Sequence, residues 1–392
     1  MKRLLVIDDA GEDIVFGQPQ ILDEEIEEVV ACLRSGWIGT GPRVQRFERD
    51  FAEFKGVQRA VAVGSCSAGL HLSLGAAGVE PGDEVITSAL TFCSTVNSII
   101  HAGGRPVLAD IDRSTMNLDP QAVAARITSR TRALVPVHFA GRPCAMDSLL
   151  ELARRHGLRV IEDCAHAIEA EYRGRGAGTI GDYGCFSFYA TKNLTTGEGG
   201  MVLAQRPQDL DNIRILATHG LSKDAWSRFQ ASYHKHYYAT HVGYKYNMMD
   251  LQAAIGIHQL RRLAENRRRR TEIWSCYQDA FQDLPVELPA APEADTKHAY
   301  HLYTLLIDEA RAGIARDEFL DAMKNLGIGV GVHYLSIAEH PIYQELFGWK
   351  AEDWPAACRV GRQTVSLPLS PKLTGAQVER VIRGVRGLFA ST

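Results

Sequence analysis

Three side chains with usable chemistry follow apolar runs that read as strands. Asp163 closes the run in VIEDCAHA (160–167), and His166 comes three residues later. Lys192 stands in GCFSFYATKNLTTGEGGMV (184–202), a strand-like stretch that ends in a glycine pair. A lysine in a partly desolvated pocket loses part of its usual pKa of about 10.4 and becomes a usable amine nucleophile. A carboxylate at the end of a buried strand needs a cationic partner, because burying it alone is costly. A fourth stretch, GSCSAGLH (64–71), reads as a strand running through small residues into a helix. The first N–H groups of such a helix lack partners and carry partial positive charge, which suits a phosphate; Ser65 and Ser67 could add hydroxyls.

Taken singly, each feature has a plain structural reading: a serine N-cap, a helix-capping aspartate with a core histidine, a surface lysine. Taken together they describe a ligand with a phosphate, a protonatable ring nitrogen and an aldehyde. Pyridoxal 5′-phosphate has all three, and its enzymes use a lysine Schiff base with an acid facing the ring nitrogen.

The surrounding elements are those that would bring these residues to one edge. Helical spacing predicts helices over 23–35 and 43–54. Short apolar runs then alternate with helices: AVAV (60–63), helix 67–78, EVIT (84–87), helix 93–101, PVLADI (106–111), helix 119–127, ALVPV (133–137), helix 146–156 and LRVIED (158–163). Continuous apolar strands alternating with helices predict a mostly parallel sheet covered on both faces, an α/β fold with ligands at the carboxyl ends of the strands. A long helical stretch, 248–283, reads as a bridge, and PVELPAAP (285–292) marks a boundary. The expected domains are a large cofactor-binding one, 14–250, and a small C-terminal α+β one, 251–392, that includes the bridging helix.

The net charge is −4, so no polybasic surface points to nucleic acid or membrane. The run Arg267–Arg270 reads as a solvated helix face or a subunit contact. Eight cysteines without C-x-x-C spacing read as reduced, mostly buried thiols of a cytoplasmic protein, neither disulfides nor zinc ligands. The opening MKRLLVIDDAG resembles a signal peptide only as far as Ile7, where Asp8-Asp9 ends the apolar run. No window reaches the length of a membrane span.

In order along nearly the whole chain stand GWIGTGPRVQRFE (36–48), GSCSAGLHL (64–72), GDEVITSALTFCST (82–95), GGRPVLADID (103–112), PVHFAGRPCAMD (136–147), VIEDCAHAIEAEYRG (160–174), FSFYATKNLTTGEGGM (186–201), GYKYNMMDLQAAIGIHQL (243–260) and VGVHY (330–334). This series resembles the DegT/DnrJ/EryC1/StrS sugar aminotransferases, fold-type-I pyridoxal-phosphate enzymes. The resemblance implies that Lys192 carries the cofactor as a Schiff base and Asp163 faces the pyridinium nitrogen. It implies that Phe92 stacks on the ring, His166 contacts its hydroxyl side, and Ser187 with the Ser67–Ala68 turn holds the phosphate. Asn247 matches a residue that reaches the phosphate from the partner subunit, which implies a homodimer with shared sites. Trp37, Ile38, His333 and Tyr334 match segments near the sugar pocket. The chain departs at Cys66, where relatives often have alanine, and at Phe92, which is sometimes tryptophan.

A subgroup of the family replaces the Schiff-base lysine by histidine and dehydrates sugars; lysine at 192 implies transamination. The implied donor is L-glutamate, leaving 2-oxoglutarate, and the implied acceptor is a nucleotide-linked keto sugar. SGWIGTGP and GYKYNMMDLQAAI most resemble enzymes that aminate C4 of a UDP-4-keto sugar, such as the 4-amino-4-deoxy-L-arabinose type. Two rival readings keep the scaffold: a keto-inositol aminotransferase, and a regulator without catalysis, which has no need of intact Lys192, Asp163, His166 and Ser187. Glycines 174, 176 and 178 lack the G-x-G-x-x-G spacing of a dinucleotide site.

Overall fold

A computed structural model describes residues 12–221 and 238–389. The segment MKRLLVIDDAG lies outside the described residues. In chain order the described strands are β1 (Val61–Val63), β2 (Glu84–Ser88), β3 (Arg105–Ala109), β4 (Thr131–Val135), β5 (Arg159–Asp163), β6 (Glu171–Tyr172), β7 (Arg175–Gly176), β8 (Tyr183–Ser187), β9 (Gly200–Ala204), β10 (Thr296–Lys297), β11 (Tyr303–Leu306) and β12 (Thr364–Leu367). Seven of them form one sheet in the order β1-β9-β8-β5-β4-β2-β3. Strands β3, β2, β4, β5 and β8 run parallel, and β9 is antiparallel to both β8 and β1. β1 and β2 are buried along their whole length, as uninterrupted apolar runs between two helical layers must be.

The strands end earlier than the apolar runs do. Pro136 has no N–H to continue the β4 ladder, and Val137 keeps only an isolated bridge to Asp163. Asp110, just past β3, turns away to accept the N–H groups of Ala356 at 3.0 Å and Ala357 at 2.9 Å, capping the helix Pro355–Gln363. The predicted bridge is two helices, Asp250–Arg261 and Leu263–Phe281, broken at Arg262 (φ −96°, ψ 0°). The first packs through Ala253, Ile257 and Leu260 on Phe47 and Phe51 of the helix Pro42–Lys55. The second sends Ile273, Tyr277 and Phe281 into the core around the β11–β12 pair and the C-terminal helix Gly375–Phe389. Arg142, 5% exposed, ties the segment between the two cores to the large sheet: it donates to Glu293 at 2.9 Å and to the Ala291 carbonyl at 2.7 Å.

Two sequence expectations are refined. Cys276 is exposed and Cys93 half-buried; the other six cysteines are buried, and all eight are free. The arginine run is not uniformly solvated. Arg268 and Arg269 pair with Glu272 on the surface, but Arg270 turns inward and is 1% exposed, because the helix turns about 100° per residue and places it on the core side. No helix among the described residues is long and apolar enough to cross a membrane.

Candidate active site

The carboxyl ends of β1, β5 and β8 bring the sequence-derived residues together. The turn after β1 starts the helix Cys66–Ala76, with Ser65 as N-cap: its Oγ accepts the Ala68 N–H at 3.1 Å. That leaves the N–H groups of Cys66 and Ser67 at the helix start as free donors for an anion. The turn lies against Gly200, the first residue of β9. A Cβ there would fall 2.6 Å from the Ser65 carbonyl carbon and 2.7 Å from the Cys66 nitrogen. This close approach explains the last glycine of GEGG. Gly200 also pairs with Ser187 at the end of β8, so Ser187 and the Ser65–Ser67 turn face one spot. Gly200→Ala is expected to displace the turn at a cost of about 1–3 kcal/mol and to weaken cofactor binding at least about tenfold. A cofactor titration by absorbance that gave the wild-type dissociation constant would refute that role for the glycine.

Asp163 ends β5 and is 4% exposed. Its Oδ1 accepts the Ala165 N–H at 3.1 Å and lies 4.0 Å from the Cys66 sulfur; its Oδ2 accepts the Thr95 hydroxyl at 2.9 Å. Thr95 is held in turn by Thr91 at 2.8 Å. Burial raises the Asp163 pKa, while the Ala165 N–H, the Thr95 hydroxyl and the charge of Lys192 oppose the rise. Among the described residues Asp163 makes no ion pair. Among the described residues it is therefore a fixed, buried carboxylate without an ion-pair partner, and a protonated ring nitrogen would suit it in charge. The preceding Glu162 anchors the strand end, accepting N–H groups from Gly178, Ile180 and Gly181 and facing His138 Nε2 at 2.9 Å. His138, Glu162 and Cys164 have metal-ligand composition within 4.8 Å, but His138 Nδ1 already accepts the Cys144 N–H at 3.0 Å.

Lys192 sits in the loop between β8 and β9. Burial pulls its amine down to about 8, against the pull of Asp163. At pH 7.5 about a quarter of such amines are unprotonated, against about one in a thousand at the ordinary value. The rate at which cofactor-stripped protein recaptures pyridoxal phosphate should therefore rise about tenfold per pH unit below 7 and level off above about 8. A flat profile in stopped-flow absorbance would contradict the lowered amine.

His166 lies across the site. Its Nδ1 accepts the Ala140 N–H at 3.3 Å, so in the neutral ring Nε2 carries the hydrogen and donates to the Tyr334 oxygen at 2.9 Å. Burial, followed by the positive charge of Lys192, holds His166 well below its usual range, so the ring is neutral. The Tyr334 hydrogen is then left for another acceptor. His333 bonds Ser366 at 2.8 Å, and burial lowers its pKa to about 4. Phe92 is 53% exposed, with its ring 5.6 Å from that of Tyr334.

Asn247 bridges Val63 at the end of β1, beside the turn that leads into the helix Cys66–Ala76. Thr40, in the loop that holds Trp37 and Ile38, bonds the Met248 carbonyl and Asn247 Nδ2. Asn247 Oδ1 is buried without a partner. Among the described residues no hydrogen bond joins Trp37 or Ile38 to the Lys192 cluster. Sequence reading overlooked Thr95 and a chain of contacts behind Lys192: Asn193 to His301 at 2.9 Å and to Glu169 at 2.9 Å, and Glu169 to Arg270. Thr95 was visible in LTFCST, but nothing in its spacing shows that it meets Asp163.

The model of the DegT/DnrJ/EryC1/StrS aminotransferase family matches residues 19–386. The chain belongs to that family. This aminotransferase is 50% identical over 374 residues to the spore coat polysaccharide biosynthesis protein SpsC of Bacillus subtilis, covering 95% of this chain and 96% of SpsC. Its fold superposes on Spr1654 of Streptococcus pneumoniae in its PLP form with a TM-score of 0.88 at 29% identity, over 97% of this chain and 99% of the other. It superposes on Helicobacter pylori PseC, an aminotransferase involved in the biosynthesis of pseudoaminic acid, with a TM-score of 0.89 at 27% identity, over 97% and 100%. The protein is thus a fold-type-I transaminase that uses pyridoxal 5′-phosphate and transfers an amino group to a sugar. The free helix donors, the cation-seeking Asp163 and the depressed amine of Lys192 match that cofactor's phosphate, ring nitrogen and aldehyde.

Proposed function

We propose that the enzyme moves an amino group from L-glutamate to a nucleotide-linked keto sugar, at C4 of a UDP-4-keto sugar, with Lys192 as the reacting amine. The observation that supports transamination is the burial of Lys192 at the sheet edge where Asp163 ends β5, which lowers its amine to about 8; the donor, the nucleotide and the C4 position rest on the family resemblance. When bound, pyridoxal phosphate supplies an aldehyde carbon to bond nitrogen and a cationic ring to accept electron density from the donor's α-carbon. Ser67, Ser187 and the helix start hold the phosphate; Ala68 closes the turn through its capped N–H. Phe92, exposed beside Tyr334, would stack on the ring. Asp163 keeps the ring nitrogen protonated, and Thr95 and Ala165 keep Asp163 oriented. Lys192 Nζ would serve as the general base that takes the proton from the donor's α-carbon and as the acid that returns it; an amine lowered to about 8 suits both roles. His166, which is buried, and Tyr334, which is half-buried, would contact the ring's hydroxyl side and help keep water from the reacting atoms. His333, Trp37 and Ile38 line the approach of the sugar. By the family resemblance Asn247 would donate its amide N–H to the phosphate of a second copy, which makes a homodimer the proposed active unit.

The test is a panel of UDP- and dTDP-linked 3-keto and 4-keto sugars, with free keto-inositols, supplied with L-glutamate and read by NMR of the product. Turnover on the UDP-4-keto sugar at least about 100-fold above the rest is expected, since hydrogen bonds to a nucleotide are lost in the free cyclitol. Preferred turnover of a keto-inositol would replace this reading with the cyclitol one.

A further inference from the structure

His301, 7% exposed, is an imidazole that the chemistry above does not use. The backbone sets it beside His166: the His301 N–H donates to the Ala140 carbonyl at 3.0 Å, and Ala140 in turn donates its N–H to His166 Nδ1. Gly141 permits this approach, since a Cβ there would fall 3.1 Å from the His301 nitrogen and 3.0 Å from the His166 carbonyl oxygen. The two imidazoles lie 4.3 Å apart, centre to centre. Asn193, next to Lys192 in the chain, fixes the His301 tautomer. Its Nδ2 donates to Glu169 at 2.9 Å and to the Ala299 carbonyl at 3.0 Å, both acceptors, so its Oδ1 is the atom that meets His301 Nδ1 at 2.9 Å. Nδ1 therefore carries the hydrogen. Burial, followed by the positive charge of Lys192, keeps the ring neutral, so Nε2 is a bare lone pair. Nε2 has no partner among the described residues, and it is not sealed in: it keeps accessible surface. His166, by contrast, has both ring nitrogens engaged.

We propose that His301 Nε2 accepts a hydrogen bond from the sugar hydroxyl next to the carbonyl that receives the amine, and so helps select the acceptor. This rests on the reading of the acceptor as a keto sugar and names one group that the sugar must carry. Polarity decides between the two substrates. The amino acid brings carboxylates, which accept, and a nitrogen that must bond the cofactor's aldehyde carbon. A lone pair repels a carboxylate, whereas the sugar brings hydroxyl donors. Position agrees: the ring lies against His166, and the charges of Lys192 and His333 reach it. Arg270, Glu169 and Asn193 then act as positioning residues, a chain of hydrogen bonds that holds the imidazole with Nε2 free.

The experiment follows both half-reactions of the holoenzyme in single turnovers. It uses the keto sugar that the wild type turns over fastest, and the analogue of that sugar lacking the hydroxyl next to the carbonyl. Failure of the UDP-4-keto reading therefore leaves this test standing. His301→Asn keeps a donor where Nδ1 stands and removes the Nε2 acceptor; His301→Gln places an amide oxygen where Nε2 stands. His301→Asn should lose at least about tenfold more in the sugar half-reaction than in the donor half-reaction, and His301→Gln should recover part of that loss. The wild type should take the deoxy analogue about tenfold more slowly than the parent sugar. That penalty should vanish in His301→Asn and persist in part in His301→Gln, a comparison that cancels any effect of the missing hydroxyl on the carbonyl itself. Equal losses in both half-reactions, or the same deoxy penalty in His301→Asn as in the wild type, overturns the proposal and leaves His301 as a packing partner of His166. A wild type that takes both sugars equally well overturns it without any variant.

Discussion

Replacing Lys192 by alanine should abolish turnover, with a fall of at least about 10⁴, and borohydride should no longer fix the cofactor to the protein. Two functions are lost at once: the amine that bonds the aldehyde and the base that moves the α-proton. The folded structure should survive, since burial disfavours the charged amine and its removal relieves that cost. Peptide mapping of the trapped wild-type protein should place the label on residue 192. A Lys192→Ala protein with wild-type turnover, or a label on another lysine, would refute the assignment.

Asp163→Asn should slow the donor half-reaction by two to three orders of magnitude, the equivalent of about 3–4 kcal/mol for removing one charge of a buried pair. Asparagine keeps the shape and can still meet Thr95 and the Ala165 N–H, so the loss isolates the charge. Thr95→Val should give a smaller loss, about tenfold, by freeing Asp163 Oδ2. Single-turnover rates decide it. Wild-type rates for Asp163→Asn would show that the ring nitrogen needs no carboxylate, and the electrostatic account of the site would fall.

The two variants probe opposite ends of the same arrangement. Burial pushes Asp163 and Lys192 each toward the neutral form, and each is pulled back by the charge of the other. A cationic ring nitrogen at Asp163 would remove the conflict, so the apoprotein is electrostatically poised for its cofactor.

Much of this was legible in the residues. The α/β alternation followed from uninterrupted apolar runs, which only a sheet buried on both faces demands. Asp163, Ser187 and Lys192 stand at or just beyond strand ends, and in a mostly parallel sheet strand ends gather on one edge. Local rules also located the Ser65 cap, because an N-cap acts within three residues. What these cases share is that sequence separation and spatial separation are tied, through a strand, a turn or the direction of the sheet.

The remaining features required the folded chain. Thr95 and Asp163 are 68 positions apart, and Tyr334 and His166 are 168 apart; neither distance along the chain carries any signal. Arg270 stands in a run of four like residues, and only the packing of its helix against Glu169 distinguishes it from its exposed neighbours. The sequence by itself determined the layers of the fold, the edge where chemistry gathers and the type of each reacting group, because periodicity and strand polarity are local properties. The tertiary structure decided which hydroxyl steadies the carboxylate, which histidine is held neutral and which arginine is buried against a glutamate, because desolvation and pairing depend on neighbours brought in from distant parts of the chain.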